Sequence, residues 1–263
     1  MALLDGKRVL VTGVLTTDSL AFAVARCALE EGATVALSGF GRGLSLTRRA
    51  ARRLGEVGDV GEVIELDVTD AAQLDAARDE LDRRFGRLDG LLHAIGYAPP
   101  DCLGHGVLAA SAEDVAVATT VSTYSLAALT RAMLPLLEVA GRDGGASVVA
   151  LDFDATRAWP MYDWMGVAKG GLEALSRYLA REVGPKGVRV NLIAAGPLRS
   201  VAAKSIPGFS AFEDQWDDHA PLGWDVHDAT PVGKAAVALF SDLLTATTGH
   251  ILQVDGGVHA VGM

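Results

Sequence analysis

What the chain lacks narrows its possibilities first. Its 263 residues include only two cysteines, Cys27 and Cys102. That is too few for a disulfide framework in a chain of this length and points to a reducing compartment. No apolar run reaches the roughly 18 residues that a membrane helix needs. The opening Met-Ala-Leu-Leu-Asp-Gly-Lys-Arg turns polar too early for a signal peptide. The expectation is a soluble cytoplasmic protein with no membrane partner. Basic charge is scarce: 23 Lys and Arg stand against 33 Asp and Glu, a formal net charge of -10. That argues against a nucleic-acid partner, which wants a basic face. The six histidines are scattered at spacings that suggest no shared ligand set, so no metal site is expected. Repeats, low-complexity tracts and linkers are absent as well.

What is present is a large apolar fraction, 50% of the residues, enough for a substantial core. Short β-branched runs at 8–12, 34–38, 62–66, 88–94, 146–151, 189–193 and 250–254 read as strands. Helical stretches at 19–31, 44–54, 71–85, 119–140, 162–184 and 228–244 separate them. The strand runs are nearly continuous in apolar residues rather than alternating, as in strands covered on both faces. The alternation of strand and helix predicts an α/β fold: a single Rossmann-type, doubly wound domain over 1–263, with a seven-stranded parallel sheet flanked by helices. The stretch 200–224 reads as a long loop, and such loops are usually functional, often lids.

Four turns at the carboxyl ends of the expected strands carry small or special residues, and in open α/β sheets ligands bind there. The first runs Val11-Thr12-Gly13-Val14-Leu15-Thr16-Thr17-Asp18-Ser19-Leu20-Ala21. It lies between strand and helix, where a dinucleotide's pyrophosphate meets a helix N-terminus. The regular G-x-G-x-x-G is missing, and an ordinary strand–helix turn capped by Asp18 or Ser19 reads the same way. Asp67-Val68 follows the third strand, placed to accept from an adenine amino group, to cap the next helix or its preceding turn, or both. His93-Ala94-Ile95-Gly96 and Ala194-Ala195-Gly196-Pro197-Leu198-Arg199-Ser200 complete the set. The sharpest signal is Tyr162-Asp163-Trp164-Met165-Gly166-Val167-Ala168-Lys169. Seven residues are close to two helical turns, so the phenol and ammonium face one way, about 10.5 Å apart along the axis. The ammonium would favour the phenolate or its hydrogen bond by its charge. Lysine is rare here, and one among Val, Ala and Gly on an apolar helix is unusual; a surface lysine lying along its stem is the bland reading.

At these residues the chain resembles bacterial enoyl-acyl carrier protein reductases, a divergent branch of the short-chain dehydrogenase/reductase superfamily, and the actinobacterial members most of all. The likeness runs from about Leu4 to Met263. It includes 6–8 through 19–21, Gly39-Phe40, Leu66-Asp67-Val68, Ala94-Ile95-Gly96, Asp152-Phe153-Asp154, 159–169, Ala195-Gly196-Pro197, Ala202-Ala203-Lys204-Ser205-Ile206 and 247–257. Carbonyl-reducing cousins use Tyr-x3-Lys with a serine about thirteen residues before the tyrosine. Here no tyrosine has a lysine four residues on, and position 149 is valine.

The resemblance implies NADH/NAD as cofactor and a trans-2-enoyl thioester of acyl carrier protein or coenzyme A as substrate, in fatty-acid elongation. Tyr162 would hydrogen-bond the thioester carbonyl, Lys169 the nicotinamide ribose, and Phe153 would sit beside the reacting end. Phe40 would pack on adenine. Gly13, Ser19, Leu20, Asp67, Val68, Ala94, Ile95, Gly96, Leu198 and Ser200 match the family's other cofactor contacts. A homotetramer is implied too. Two departures stand out: alanine at 94, where serine is common, and a segment at 200–224 shorter than in members that take very long chains. Without a basic pair after the second strand (Gly39-Phe40-Gly41-Arg42), NADH is expected over NADPH. The competing readings are a sister reductase of secondary metabolism, acting on another enoyl or keto thioester, and a catalytically silent NAD-binding regulator.

Overall fold

Parallel strands buried on both faces need side chains that pack without asking for water, and the strands here supply them. The structure, a computed structural model, describes residues 2–201, 203 and 206–262. Ala202, Lys204, Ser205 and Met263, part of the family-like stretches, lie outside the described residues. Among those described, seven strands form one sheet: β1 (Arg8–Val11), β2 (Thr34–Gly39), β3 (Ile64–Glu65), β4 (Gly90–His93), β5 (Ala146–Asp152), β6 (Val188–Ala195) and β7 (Ile251–Val254). Their order is β3-β2-β1-β4-β5-β6-β7, and every pairing is parallel. All eight residues of β6 are buried, as continuous apolar runs require.

Eight α-helices lie among the described residues, most of them against the two faces: α1 (Leu20–Glu30), α2 (Leu44–Leu54), α3 (Ala71–Phe85), α4 (Ala112–Thr119), α5 (Ser125–Arg142), α6 (Asp163–Val183), α7 (Ser210–His219) and α8 (Thr230–Phe240). Val24, Leu54, Val232 and Phe240 pack on one side of the sheet with Val9 and Val11. Leu81, Leu129, Met133 and Leu172 pack on the other with Leu10 and Leu91. Gly90 and Phe240 meet closely, so the sheet and α8 lie in direct contact there.

Three elements differ from the sequence expectation. The helix expected from 119 begins at Ala112, where Ser111 caps it by accepting from the Asp114 N–H at 3.1 Å. It runs through a π-turn at Thr120–Tyr124 before continuing as α5. The stretch 200–224 is not all loop, since it contains α7. Tyr162 precedes α6 rather than opening it, serving as its N-cap residue.

Candidate active site

The sheet order reverses between β1 and β4, which opens a crevice at the carboxyl ends of the strands. Gly13, just past β1, has φ +82°, and a Cβ there would sit 2.0 Å from the Ala94 carbonyl oxygen. Only glycine lets these two loops approach so closely. Thr12 ties the same loops together. Its hydroxyl donates to the Leu92 carbonyl at 2.8 Å and accepts from the Ala94 N–H at 3.2 Å. Ser19 makes no side-chain cap on α1; its Oγ accepts from the N–H groups of Leu15 and Thr16 instead. The serine therefore shapes the turn, and α1 starts at Leu20 with no acid in its first turn and no side chain over its N–H groups. Such an end attracts a phosphate.

Phe40 follows β2 and is 55% exposed, an apolar ring largely open to solvent. Asp67 follows β3 and is half-buried. Its Oδ1 accepts from the Thr69 N–H at 2.9 Å and the Thr69 hydroxyl at 2.7 Å. It thus closes the turn before α3, whose cap is Asp70. Val68 is buried, Ile95 half-buried and Gly96 exposed. On the far side of the crevice Leu198 and Ser200 are buried, and Ser200 Oγ accepts from the Ala203 N–H at 3.2 Å. A close backbone approach, an uncapped helix end and an open aromatic face together fit an extended dinucleotide.

The other half of the crevice is built on β5 and α6. Tyr162 is flanked by Met161 at φ +64° and Asp163 at φ +38°. Both are unusual for non-glycine residues, and such strain collects at functional sites. Asp163 Oδ2 accepts from the N–H groups of His105 and Gly106 at 3.1 and 3.0 Å, and Trp164 Nε1 donates to the Val107 carbonyl at 2.8 Å. The loop 105–107 is thereby fastened to the residues that follow the tyrosine. Lys169 lies two turns along α6, also buried, and its Nζ donates to the Leu151 carbonyl at 2.7 Å. It is no surface lysine.

Burial pushes the Tyr162 phenol well above its ordinary value, and the charge of Asp152 pushes it the same way. The phenol is therefore a neutral hydrogen-bond donor. Of the two effects expected of the lysine's charge, a phenolate or a hydrogen bond from the phenol, burial leaves only the hydrogen bond. Burial lowers the Lys169 ammonium, and Asp152 opposes that. His93, at the end of β4, is fully buried with Nε2 2.7 Å from Ser125 Oγ. Burial first, then the charge of Lys169, pushes its pKa down to about 3, so it is neutral.

Phe153 stands among four other rings. Its centroid lies 5.2 Å from Tyr162, 5.3 Å from Trp159, 5.7 Å from Phe212 and 5.8 Å from Trp216. Sequence reasoning singled out Phe153 and Tyr162 but missed Trp159, Phe212, Trp216 and Asp152. Phe209, Phe212 and Trp216 recur at helical spacing, the signal that could have revealed α7 as an aromatic cover. A narrow gap with no room for a water borders this cluster, lined in part by Phe153, Trp159, Trp216 and Asp255.

Residues 13–259 match the family model described as enoyl-(acyl carrier protein) reductase. A Mycolicibacterium smegmatis protein named enoyl-[acyl-carrier-protein] reductase [NADH] is 42% identical, covering 97% of each chain. A Mycobacterium avium protein of the same name is also 42% identical, again with 97% of each chain covered. An NADH enoyl-[acyl-carrier-protein] reductase of Aquifex aeolicus is 37% identical over 100% of this chain and 95% of its own.

Proposed function

The chain belongs to the enoyl-(acyl carrier protein) reductase family, and from that premise we propose how its own residues carry out the NADH-dependent reduction of an enoyl thioester's trans-2 double bond. When bound, NADH supplies the hydride that adds to the β-carbon. The electron pair of the double bond then moves onto the thioester carbonyl oxygen, where negative charge develops, and the enolate takes a proton at its α-carbon from water to give the saturated thioester. Tyr162, buried and held neutral, donates its hydrogen bond to that oxygen, where a fixed donor is most effective. Lys169 donates to the nicotinamide ribose and so fixes the hydride donor relative to the phenol. Phe153 and the rings around it exclude water from the reacting atoms. Gly13, Ser19, Leu20, Ala94, Ile95 and Gly96 take the pyrophosphate and ribose; Phe40, Asp67 and Val68 take the adenine; Leu198 and Ser200 close over the nicotinamide end.

The observation that carries this reading is that Tyr162, beside Phe153, and Lys169, seven residues on and held on the Leu151 carbonyl, are both buried. Keto reduction by the Tyr-x3-Lys pattern is disfavoured, because position 149 is a valine buried within β5. By the names of its relatives, the substrate is an acyl-carrier-protein thioester. The chain acts as one domain, with the segment 200–224 as its substrate cover. A homotetramer in the cytoplasm is the proposed assembly. The half-exposed edge strand β7 and the exposed Tyr124, Val167 and Tyr178 on the helical face support it. No helix among the described residues is long and apolar enough to cross a membrane.

The test is NADH oxidation by the purified protein with crotonyl and 3-oxobutyryl thioesters, each on acyl carrier protein and on coenzyme A. Turnover of the enoyl thioesters, faster on acyl carrier protein, is expected. Turnover of the keto thioesters alone, or of neither class, would overturn the reading.

A further inference from the structure

Asp152 is the last residue of β5, and both its carboxylate oxygens are buried with no side-chain hydrogen-bond partner among the described residues, the Phe153 N–H being the one hydrogen-bonding group that favours its charge. A buried carboxylate so poorly partnered costs stability, so something other than stability accounts for it. Its surroundings narrow the role. Lys169 Nζ is held on the carbonyl of Leu151, the residue just before it. The carboxylate belongs to Asp152 and the ammonium is held on the residue before it, yet the ammonium makes no hydrogen bond to the carboxylate. With one N–H on the Leu151 carbonyl, the ammonium keeps two further donors for a ligand and stays in the carboxylate's field.

We propose that Asp152 is a positioning residue that acts through Lys169, a fixed anion that keeps this buried amine protonated as a donor to the nicotinamide ribose. The inference rests on the assignment of Lys169 made above. The groups facing Asp152 support a one-to-one relation. From α6 come Lys169 and Glu173, from the loop after β5 comes Asp154, and from the start of α6 comes Tyr162. Glu173 accepts from the Ala155 N–H at 3.2 Å, and Asp154 accepts from the Thr156 N–H and hydroxyl. His93, across β4, feels the charge of Lys169 and is neutral. Lys169 is the one cation among these groups.

The sign of the pH dependence follows. Burial lifts the Asp152 carboxyl up to about 7, against the pull of Lys169. A carboxyl raised in the folded protein destabilises it progressively as pH climbs from its unfolded value to its folded one. Above neutrality the carboxylate is charged, at full cost to stability and in full support of the ammonium.

The experiment compares wild type, Asp152→Asn and Lys169→Met by NADH titration from about pH 6 to about pH 10, and by thermal melting of the cofactor-free protein. Asp152→Asn is expected to melt at or above the wild-type temperature at about pH 8 while binding NADH roughly tenfold more weakly. Its alkaline loss of NADH binding should set in about one pH unit lower, the tenfold effect that one unit represents. Asp152→Ser should show the same shift, and decides the matter if the asparagine variant does not fold. A lower melting temperature with a uniform loss of affinity at every pH would mean a packing role and overturn the inference. Wild-type affinity and pH profile in the Asp152 variants, with weak binding in Lys169→Met, would overturn the inference alone. Wild-type binding by Lys169→Met would overturn the assignment of Lys169 itself.

Discussion

Between Gly13 and Gly96 the crevice is shaped by backbone; between Asp152 and Trp216 it is shaped by side chains. On the first side, loops touch through a glycine and a carbonyl, a serine braces a turn, and the aromatic residue after β2 stands open to solvent. On the second side, four rings and a lysine are almost wholly removed from water, with half-buried Phe153 packed against them and a carboxylate without a side-chain partner beside them. The contrast follows from the two tasks. A dinucleotide presents phosphates and hydroxyls, which backbone N–H groups and helix ends satisfy. A developing enolate needs one strong donor in a dry place. Binding and chemistry should therefore respond separately to mutation.

The largest separation is expected from Tyr162→Phe. Removing the one donor to the enolate should lower turnover by about 2.7–4 kcal/mol of barrier, on the order of a hundred- to a thousandfold. NADH titration should show unchanged affinity if the phenol serves the substrate as proposed; a parallel loss of NADH binding would merge the two halves. Gly13→Ala is the reverse case. The left-handed backbone and the contact with the Ala94 carbonyl should cost about 1–3 kcal/mol. The loss should appear as at least tenfold weaker NADH binding and a lower melting temperature, with turnover at saturating NADH near wild type. A fall in saturated turnover as large as that of Tyr162→Phe would break the comparison. Ala94→Ser is the gentlest probe. A hydroxyl at this half-buried position adds one hydrogen bond toward the pyrophosphate, about 0.5–1.5 kcal/mol, so NADH should bind several-fold more tightly. Equal dissociation constants would show that the backbone already satisfies the phosphate at this turn.

The same division explains what could be read from the chain. The cofactor side is made of short local signals, each a strand end followed by a small residue, and α2 and α3 fall at the residues their periodicity indicates. The Tyr162–Lys169 spacing is local as well. The aromatic cover is not, because Phe153, Trp159, Phe212 and Trp216 come together only through the crossing of β5, β6 and α7. Asp152 was hidden for a different reason. A carboxylate at a strand end looks like any turn residue until its burial and lack of side-chain partners are known. The start of α4 was missed although Ser111 and Asp114 form a local cap. The polar, small-residue run after Ser111 gave no clear apolar stripe to extend the helix backward.

The π-turn at Thr120–Tyr124 gives the long rod from 112 to 142 two phases. Ahead of it, Ala118 of α4 packs on the aromatic cluster. Behind it, Leu126, Leu129 and Met133 of α5 face the sheet. Within it, Ser122 Oγ donates to the Tyr97 carbonyl and accepts from the Tyr97 N–H, while the Thr123 hydroxyl donates to the Ala168 carbonyl, one residue from Lys169. A regular helix advances about 100° per residue, and a π-turn inserts one residue into that count. Deleting a single residue between 120 and 124 would let the rod close into a regular helix with α4 and α5 keeping their faces, at the expense of the register by which Ser122 and Thr123 reach Tyr97 and Ala168.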